Sequence, residues 1–224
     1  MFLNKSRTKH TMFIHRLKRV ISQGESDNLD FKQTINDASK IAKTLVAFAN
    51  HKGGTLLIGV KDNGHICGIK NEDEKYMVEL AASFYCKPEI KVEFNETEIE
   101  GKTVLEATIE QGKDKPYFAK DEHGKWWVYI RVNDKTMQAS VVQFQVLKKQ
   151  RPDHENKLNY SHIENEILNT IKSSSNSTLN DLVKSLNVNR NRIVYSLAKL
   201  ICFGVIKIEH NQQNESYSLA NVVK

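Results

Sequence analysis

Two linked segments, Glu25-Ser-Asp-Asn-Leu-Asp30-Phe-Lys32 and Ala47-Phe-Ala-Asn50-His-Lys-Gly53-Gly54-Thr-Leu-Leu-Ile-Gly59-Val-Lys-Asp62, decide how this 224-residue chain folds. In the first, Leu29-Asp30-Phe31-Lys32 alternates, so a strand there sends Leu29 and Phe31 to one face and Asp30 and Lys32 to the other. Asp37 then stands as N-cap before Ala38, Ile41, Ala42, Leu45, Phe48 and Ala49, whose 3-4 spacing predicts a helix with small residues for close packing. Gly53-Gly54 stops that helix, through a tight helix-to-strand turn at positive φ. Thr55 to Val60 reads as a buried strand closed by the turn Lys61-Asp62-Asn63-Gly64, with His65 to Ile69 as the second half of a hairpin.

On the N-terminal side, residues 1–11 are polar, basic and expected to be frayed. Phe13, Ile14, Leu17, Val20 and Ile21 make an amphipathic helix that Gly24 ends. On the C-terminal side, 72–86 predicts a helix with Tyr76, Leu80, Ala81, Phe84 and Tyr85 buried, stopping before Pro88. Ile90, Val92 and Phe94 pair with Val104, Leu105, Ala107 and Ile109 as a hairpin across Gly101. Lys115 to Phe118 and Trp126 to Val132 add two strands, and alternation turns one of Trp126 and Trp127 inward and the other outward. The tally for 12–144 is one mixed β-sheet with packed helices, an α+β domain.

From Gln145 to Leu158 the periodicity lapses around Lys148-Lys149-Gln-Arg151-Pro152, which marks a linker or the exposed end of a helix. Residues 159–224 follow another plan. Ile163, Ile167, Leu168 and Ile171 make one helix; Leu179, Leu182, Val183 and Leu186 a second; Ile193, Val194, Leu197, Leu200 and Ile201 a third. Val205 to Glu209 and Ser216 to Leu219 close a hairpin.

Composition narrows the function classes. Charged residues make up 27% and hydrophobic ones 39%, and no apolar run approaches the roughly 20 residues that span a bilayer, so a cytoplasmic protein with no membrane partner is expected. The three cysteines, Cys67, Cys86 and Cys202, lack C-x-x-C spacing, which argues against disulfides and zinc. The net charge of +6 is uneven: six basic and no acidic residues in 1–23, 16 against 20 in 24–144, and 11 against 7 in 145–224. Basic ends suit phosphate contact.

Helix, short helix, turn, third helix and hairpin is the order that delivers a helix end into a major groove, and 159–224 resembles the winged helix-turn-helix domains of bacterial transcription regulators. Asn189, Arg190, Asn191 and Arg192 at the start of the third helix are the candidate DNA-reading residues, since Arg reads guanine and Asn adenine. Lys148, Lys149 and Arg151 are candidate phosphate contacts, whereas Glu209 and Glu215 weaken the hairpin as a second one.

Residues 12–141 resemble the Schlafen AlbA-like domain, a family associated with DNA binding. Glu25 through Lys32, Ala47 to Asn50 with Gly53-Gly54, and Ile58-Gly59-Val60 with Asp62 and Gly64 carry the resemblance, as do Lys115-Pro116-Tyr117 and Tyr129-Ile130-Arg131-Val132. In the nuclease members an acidic triad binds a divalent metal. The resemblance implies Glu25, Asp30 and Asp62 for that triad here, holding Mg²⁺ or Mn²⁺ beside Lys32 for transfer or ribosomal RNA cleavage. Those members clasp folded RNA between two lobes, and a homodimer would supply the second. Read without the family, Glu25 caps a helix, Asp30 pairs with Lys32, and Asp62 forms a turn. No phosphate-loop motif supports nucleotide binding.

The leading expectation is thus a nucleic-acid-binding protein, a DNA-binding transcription regulator. A metal-dependent endoribonuclease acting on structured RNA and a non-catalytic interaction adaptor are the alternatives.

Overall fold

The computed structural model describes residues 2–150, 160–174, 176–211 and 214–220, with side chains from Thr11 onward. It divides into two compact units, Met1–Gln138 and Ala139–Lys224. Among the described residues no helix is long and apolar enough to cross a membrane.

The first unit runs α1 (Phe2–Gln23), β1 (Leu29–Lys32), α2 (Ala38–Asn50), β2 (Gly54–Ile58), α3 (Asp73–Phe84), β3 (Cys86–Lys87), β4 (Val92–Ile99) and β5 (Lys102–Ile109). It ends with β6 (Phe118–Lys120), β7 (Trp126–Trp127), β8 (Tyr129–Val132) and β9 (Lys135–Gln138). A four-stranded sheet ordered β1-β2-β5-β4 is mixed: β1 and β2 are parallel, and the other pairs are antiparallel. Because side chains alternate along a strand, this sheet has two apolar faces. Phe31, Leu57 and Val104 pack with Leu17 and Ile21 of α1 on one face. On the other, Leu56, Ile58, Leu105 and Ala107 pack with Ala42, Leu45 and Phe48 of α2 and Val78 and Ala81 of α3. Full burial of a side chain such as Phe31 contributes about 1.5–3 kcal/mol.

The predicted cap is present: the Asp37 carboxylate accepts from the Ser39 and Lys40 amides. Gly53 has φ +80°, and a Cβ there would lie 2.6 Å from the Ile109 carbonyl oxygen; at Gly54 it would meet the Phe48 ring at 2.4 Å. The two glycines therefore let α2 turn into β2 against β5.

Five details differ from the sequence expectation. The single sheet is three, since β3-β6-β7 and β8-β9 pair separately. The hairpin after Val60 is one bridge, Val60 to Ile66. In α3 the buried residues are Glu74, Val78, Ala81 and Ala82, while Tyr76 and Phe84 are 59% and 70% exposed; close approach to α2 selects small side chains for the inner face. Trp126 and Trp127 are both exposed, because β7 is a two-residue edge strand of a small sheet. The N-terminal segment expected to fray is the start of α1.

The second unit opens with α4 (Val141–Lys149), followed by α5 (His162–Ser173), β10 (Ser177–Thr178), α6 (Leu179–Leu186), α7 (Arg190–Cys202), β11 (Ile206–His210) and β12 (Glu215–Leu219). The stretch expected to be a linker from 145 thus begins inside a helix, started by a Ser140–Gln143 capping box; residues 151–159 lie outside the described ones. Val142 of α4 joins the core made by Ile167, Leu182, Ile193, Leu197, Ile206 and Tyr217. Strands β10, β12 and β11 form the wing sheet. Glu164 is buried and caps α5 at Ser161, accepts from Ser196 Oγ at 2.8 Å, and lies 3.8 Å from Lys199 Nζ. Burial pushes its pKa up, but these hydrogen bonds and the Lys199 charge win and lower it.

Gly53→Ala should lower unfolding stability by about 1–3 kcal/mol through backbone strain and the clash with Ile109. Gly24→Ala, at φ +78° with open space around it, should cost only about 1–2 kcal/mol. The urea midpoints of the two variants check the order.

Candidate nucleic-acid interface

The acids of the first unit meet different partners. On β1, Asp30 is buried on the α2 side of the sheet, level with Leu56. Its Oδ1 accepts from Arg131 Nη1 at 3.1 Å, and its Oδ2 lies 2.6 Å from Lys32 Nζ. That second contact is an ion pair without hydrogen-bond alignment, because the ammonium donates instead to the Phe31 carbonyl at 2.7 Å. Glu25 caps no helix; its Oε1 accepts from the Phe31 amide at 2.8 Å and closes the loop before β1. Asp62 is exposed in the turn after β2, where it lines an open cleft of about 610 Å³ with Lys18, Ile21 and Gly24 from the end of α1. Among the described residues no group of three or more His, Cys, Asp or Glu side chains could hold a metal ion. Glu25, Asp30 and Asp62, expected as a triad, therefore do not fit a Mg²⁺ or Mn²⁺ centre as arranged. Lys32 serves Asp30.

Three residues that sequence reasoning did not assign organise this region. Arg131 on β8 is buried, stacks 5.0 Å from the Phe48 ring centre, and donates to Asp30, to Thr136 Oγ1 at 3.0 Å and to the Ser26 carbonyl at 2.6 Å. Its Nε has no hydrogen-bond partner among the described residues. Asn50, at the end of α2, donates to the carbonyls of Tyr117 and Tyr129 at 2.9 Å each and accepts from the Tyr117 amide at 2.8 Å. It thus ties α2 to the approach to β6 and to β8. Lys115 is buried and donates to the His51 carbonyl at 2.8 Å, while the His51 ring meets Asp27 at 3.2 Å. Burial pulls the Lys115 pKa down to about 8. The available signal was chemical: a charge on an apolar strand needs a buried counterpart.

In the second unit the residues proposed to read DNA do come together. Asn189 caps α7, its Oδ1 accepting from the Asn191 amide at 2.9 Å. Arg190, Asn191 and Arg192 are all exposed on the first turn, where the helix N-terminus adds positive partial charge. Arg190 Nη1 donates to Asn180 Oδ1 at 2.8 Å, which anchors it to α6. The wing acids are occupied: Glu215 accepts from Tyr217 Oη at 2.5 Å and Ser140 Oγ at 3.0 Å, and Glu209 from Ser218 Oγ at 2.7 Å, with Lys207 3.0 Å away. Lys148 is exposed, its ammonium 4.8 Å from the Phe144 ring centre. Lys149, expected at the surface, is 3% exposed and sits over Tyr195, so it is withdrawn from phosphate contact. Arg151 lies outside the described residues.

Arg131→Met should destabilise the first unit by about 3–5 kcal/mol, because Asp30 would be left buried without its main partner, and adding Asp30→Leu should recover much of that loss. A double-mutant cycle in urea measures the coupling. For Lys115, the native pKa of about 8 lies below the ordinary 10.5. Between those values the unfolded chain holds the proton and the native one does not, so stability rises with pH across that window and levels off above it. Unfolding of the protein beside Lys115→Met from pH 7 to 11 should show the rise in the parent only.

Comparison with known proteins agrees with this division. A model of the Schlafen AlbA_2 family matches residues 25–140, and a winged helix DNA-binding domain model matches 160–219. No curated protein matches the chain. Among solved structures, the DIP2311 protein from Corynebacterium diphtheriae is 15% identical over 79% of this chain and 32% of its own, with a TM-score of 0.46. This chain therefore spans about a third of that protein. The N-terminal domain of a Nitrosomonas europaea protein, named as related to the ATP-dependent DNA helicase RecG, is 20% identical over 66% of this chain and 96% of its own, with a TM-score of 0.38. With just over half of its 224 residues matched by the family model, the chain belongs to the Schlafen AlbA_2 family and carries a winged helix DNA-binding domain after it.

Proposed function

We propose that this protein is a DNA-binding transcription regulator whose winged helix unit supplies the sequence-reading contact. The observation that carries the reading is the first turn of α7, where Arg190, Asn191 and Arg192 all face solvent. Two guanidinium forks and an amide match the donors and acceptors along a major groove, and the helix N-terminus favours the phosphates that flank it. The acids nearest the wing bond within the unit and add little repulsion toward a DNA backbone. Lys148 on α4 adds an exposed cation to the same unit. A protein that occupies a duplex through such a helix acts on transcription by where it sits, and needs no chemistry of its own. The carboxylates of the first unit stabilise its fold, so the proposal routes no catalytic step through them.

Titration of the 224-residue protein with sheared genomic DNA at two salt concentrations tests this. Binding should weaken as salt rises, and Arg190→Ala with Arg192→Ala should reduce the log–log salt slope by about 0.9 for each phosphate that no longer meets a cation. Affinity that is absent, or unchanged in the double variant, contradicts the proposal.

A further inference from the structure

α4 runs antiparallel to α7. The Val146 carbonyl meets Cys202 Sγ at 3.8 Å near the end of α7, whereas Lys149 Nζ reaches Tyr195, closer to its start, 3.6 Å from the ring centre. The burial of that pair is inverted from the usual pattern. Lys149 is 3% exposed although it carries a charge, and Tyr195 is 52% exposed although it carries a ring. Lysine ordinarily keeps its head in water. Here the head is spent holding an aromatic face that the core does not use.

Tyr195 also stands in a particular place. It follows Asn191 by four residues and Arg192 by three, and residues at those spacings share one face of a helix. Asn191, Arg192 and Tyr195 therefore form a continuous exposed strip, with Arg190 tied to α6 on one flank and the end of α4 on the other.

We infer that Tyr195 is a specificity-determining residue of the DNA-reading face, and that Lys149 is a positioning residue that fixes the tyrosine ring through its cation. This rests on the DNA-binding reading of the winged helix. A ring with two torsions, one face already held by an ammonium, loses little freedom when DNA arrives. It presents an apolar edge suited to a thymine methyl group and a hydroxyl suited to base-edge acceptors. Lys149, being buried, neutralises no phosphate. Its effect on binding must pass through Tyr195, and so should not change the number of counterions released.

The test uses the 224-residue protein and a random-sequence duplex pool. The bound fraction is sequenced, and the recovered duplex is titrated across a salt series, with thermal melts confirming that each variant folds. Tyr195→Ala should weaken binding to the recovered duplex about tenfold and flatten base preference at one or two positions, while binding to unselected pool changes little. Lys149→Met should move both readouts the same way with the salt slope unaltered, and Lys149→Arg, which keeps a cation over the ring, should behave as the parent. Tyr195→Phe, the mildest variant, should retain part of the preference. If Arg190→Ala with Arg192→Ala loses affinity while Tyr195→Ala and Lys149→Met bind and discriminate as the parent does, this inference is wrong and the DNA-binding reading stands. A fall of about 0.9 in the salt slope for Lys149→Met would make it a phosphate contact and overturn its positioning role. Absence of DNA binding by the parent would overturn both.

Discussion

The buried ion pair between Asp30 and Arg131 is the constraint on which the first unit depends. Residues 101 positions apart meet at 3.1 Å, and the same guanidinium reaches the Ser26 carbonyl and Thr136 and lies over Phe48. One side chain thus joins the edge strand of the main sheet, the loop before it, α2 and the β8-β9 hairpin. Removal of two charges from water costs several kcal/mol, so such a pair survives only when its remaining donors are used. Arg131 uses most of them. Asn50 does neutral work of the same kind, by hydrogen-bonding peptide groups that α2 would otherwise bury unsatisfied.

That arrangement redefines the acidic segment at the head of the domain. Asp30-x-Lys32 on one strand face has the form of a catalytic pair, but the contacts give it a structural occupation. Its carboxylate is enclosed by two cations, Glu25 holds a backbone amide, and Asp62 lines a cleft beside α1. Charge that is already compensated within the fold has little left to offer an ion.

Much of this architecture was legible because local and global preferences agree. The Asp37 cap, the small-residue face of α2 and the Gly53-Gly54 turn follow from periodicity and φ alone, and so does the helix and strand order of the winged helix. The failures have a common origin in tertiary context. Size points Tyr76 and Phe84 inward, but α3 approaches α2 through Val78, Ala81 and Ala82. Arg131 alternates with Ile130 and Val132 and so reads as a solvent residue; only the packing of β8 on α2 encloses it. Lys149 reads as a surface residue beside its basic neighbours, because nothing in a nine-residue helix announces a tyrosine 46 positions later as its partner. For the candidate site, Arg190, Asn191 and Arg192 could be picked from the order of elements, whereas Tyr195 could not.

The two halves of the chain thus place their charges to different ends. In the first unit opposite charges neutralise one another inside the fold, and in the second like charges face water at a helix N-terminus. The central claim is that nucleic acid meets the protein at α7 and leaves the acidic segment untouched. Hydrogen exchange of the 224-residue protein with and without duplex DNA, read peptide by peptide, tests this most directly. The account predicts slowed exchange in residues 189–195 and unchanged exchange in 25–62; protection confined to 25–62 would contradict it.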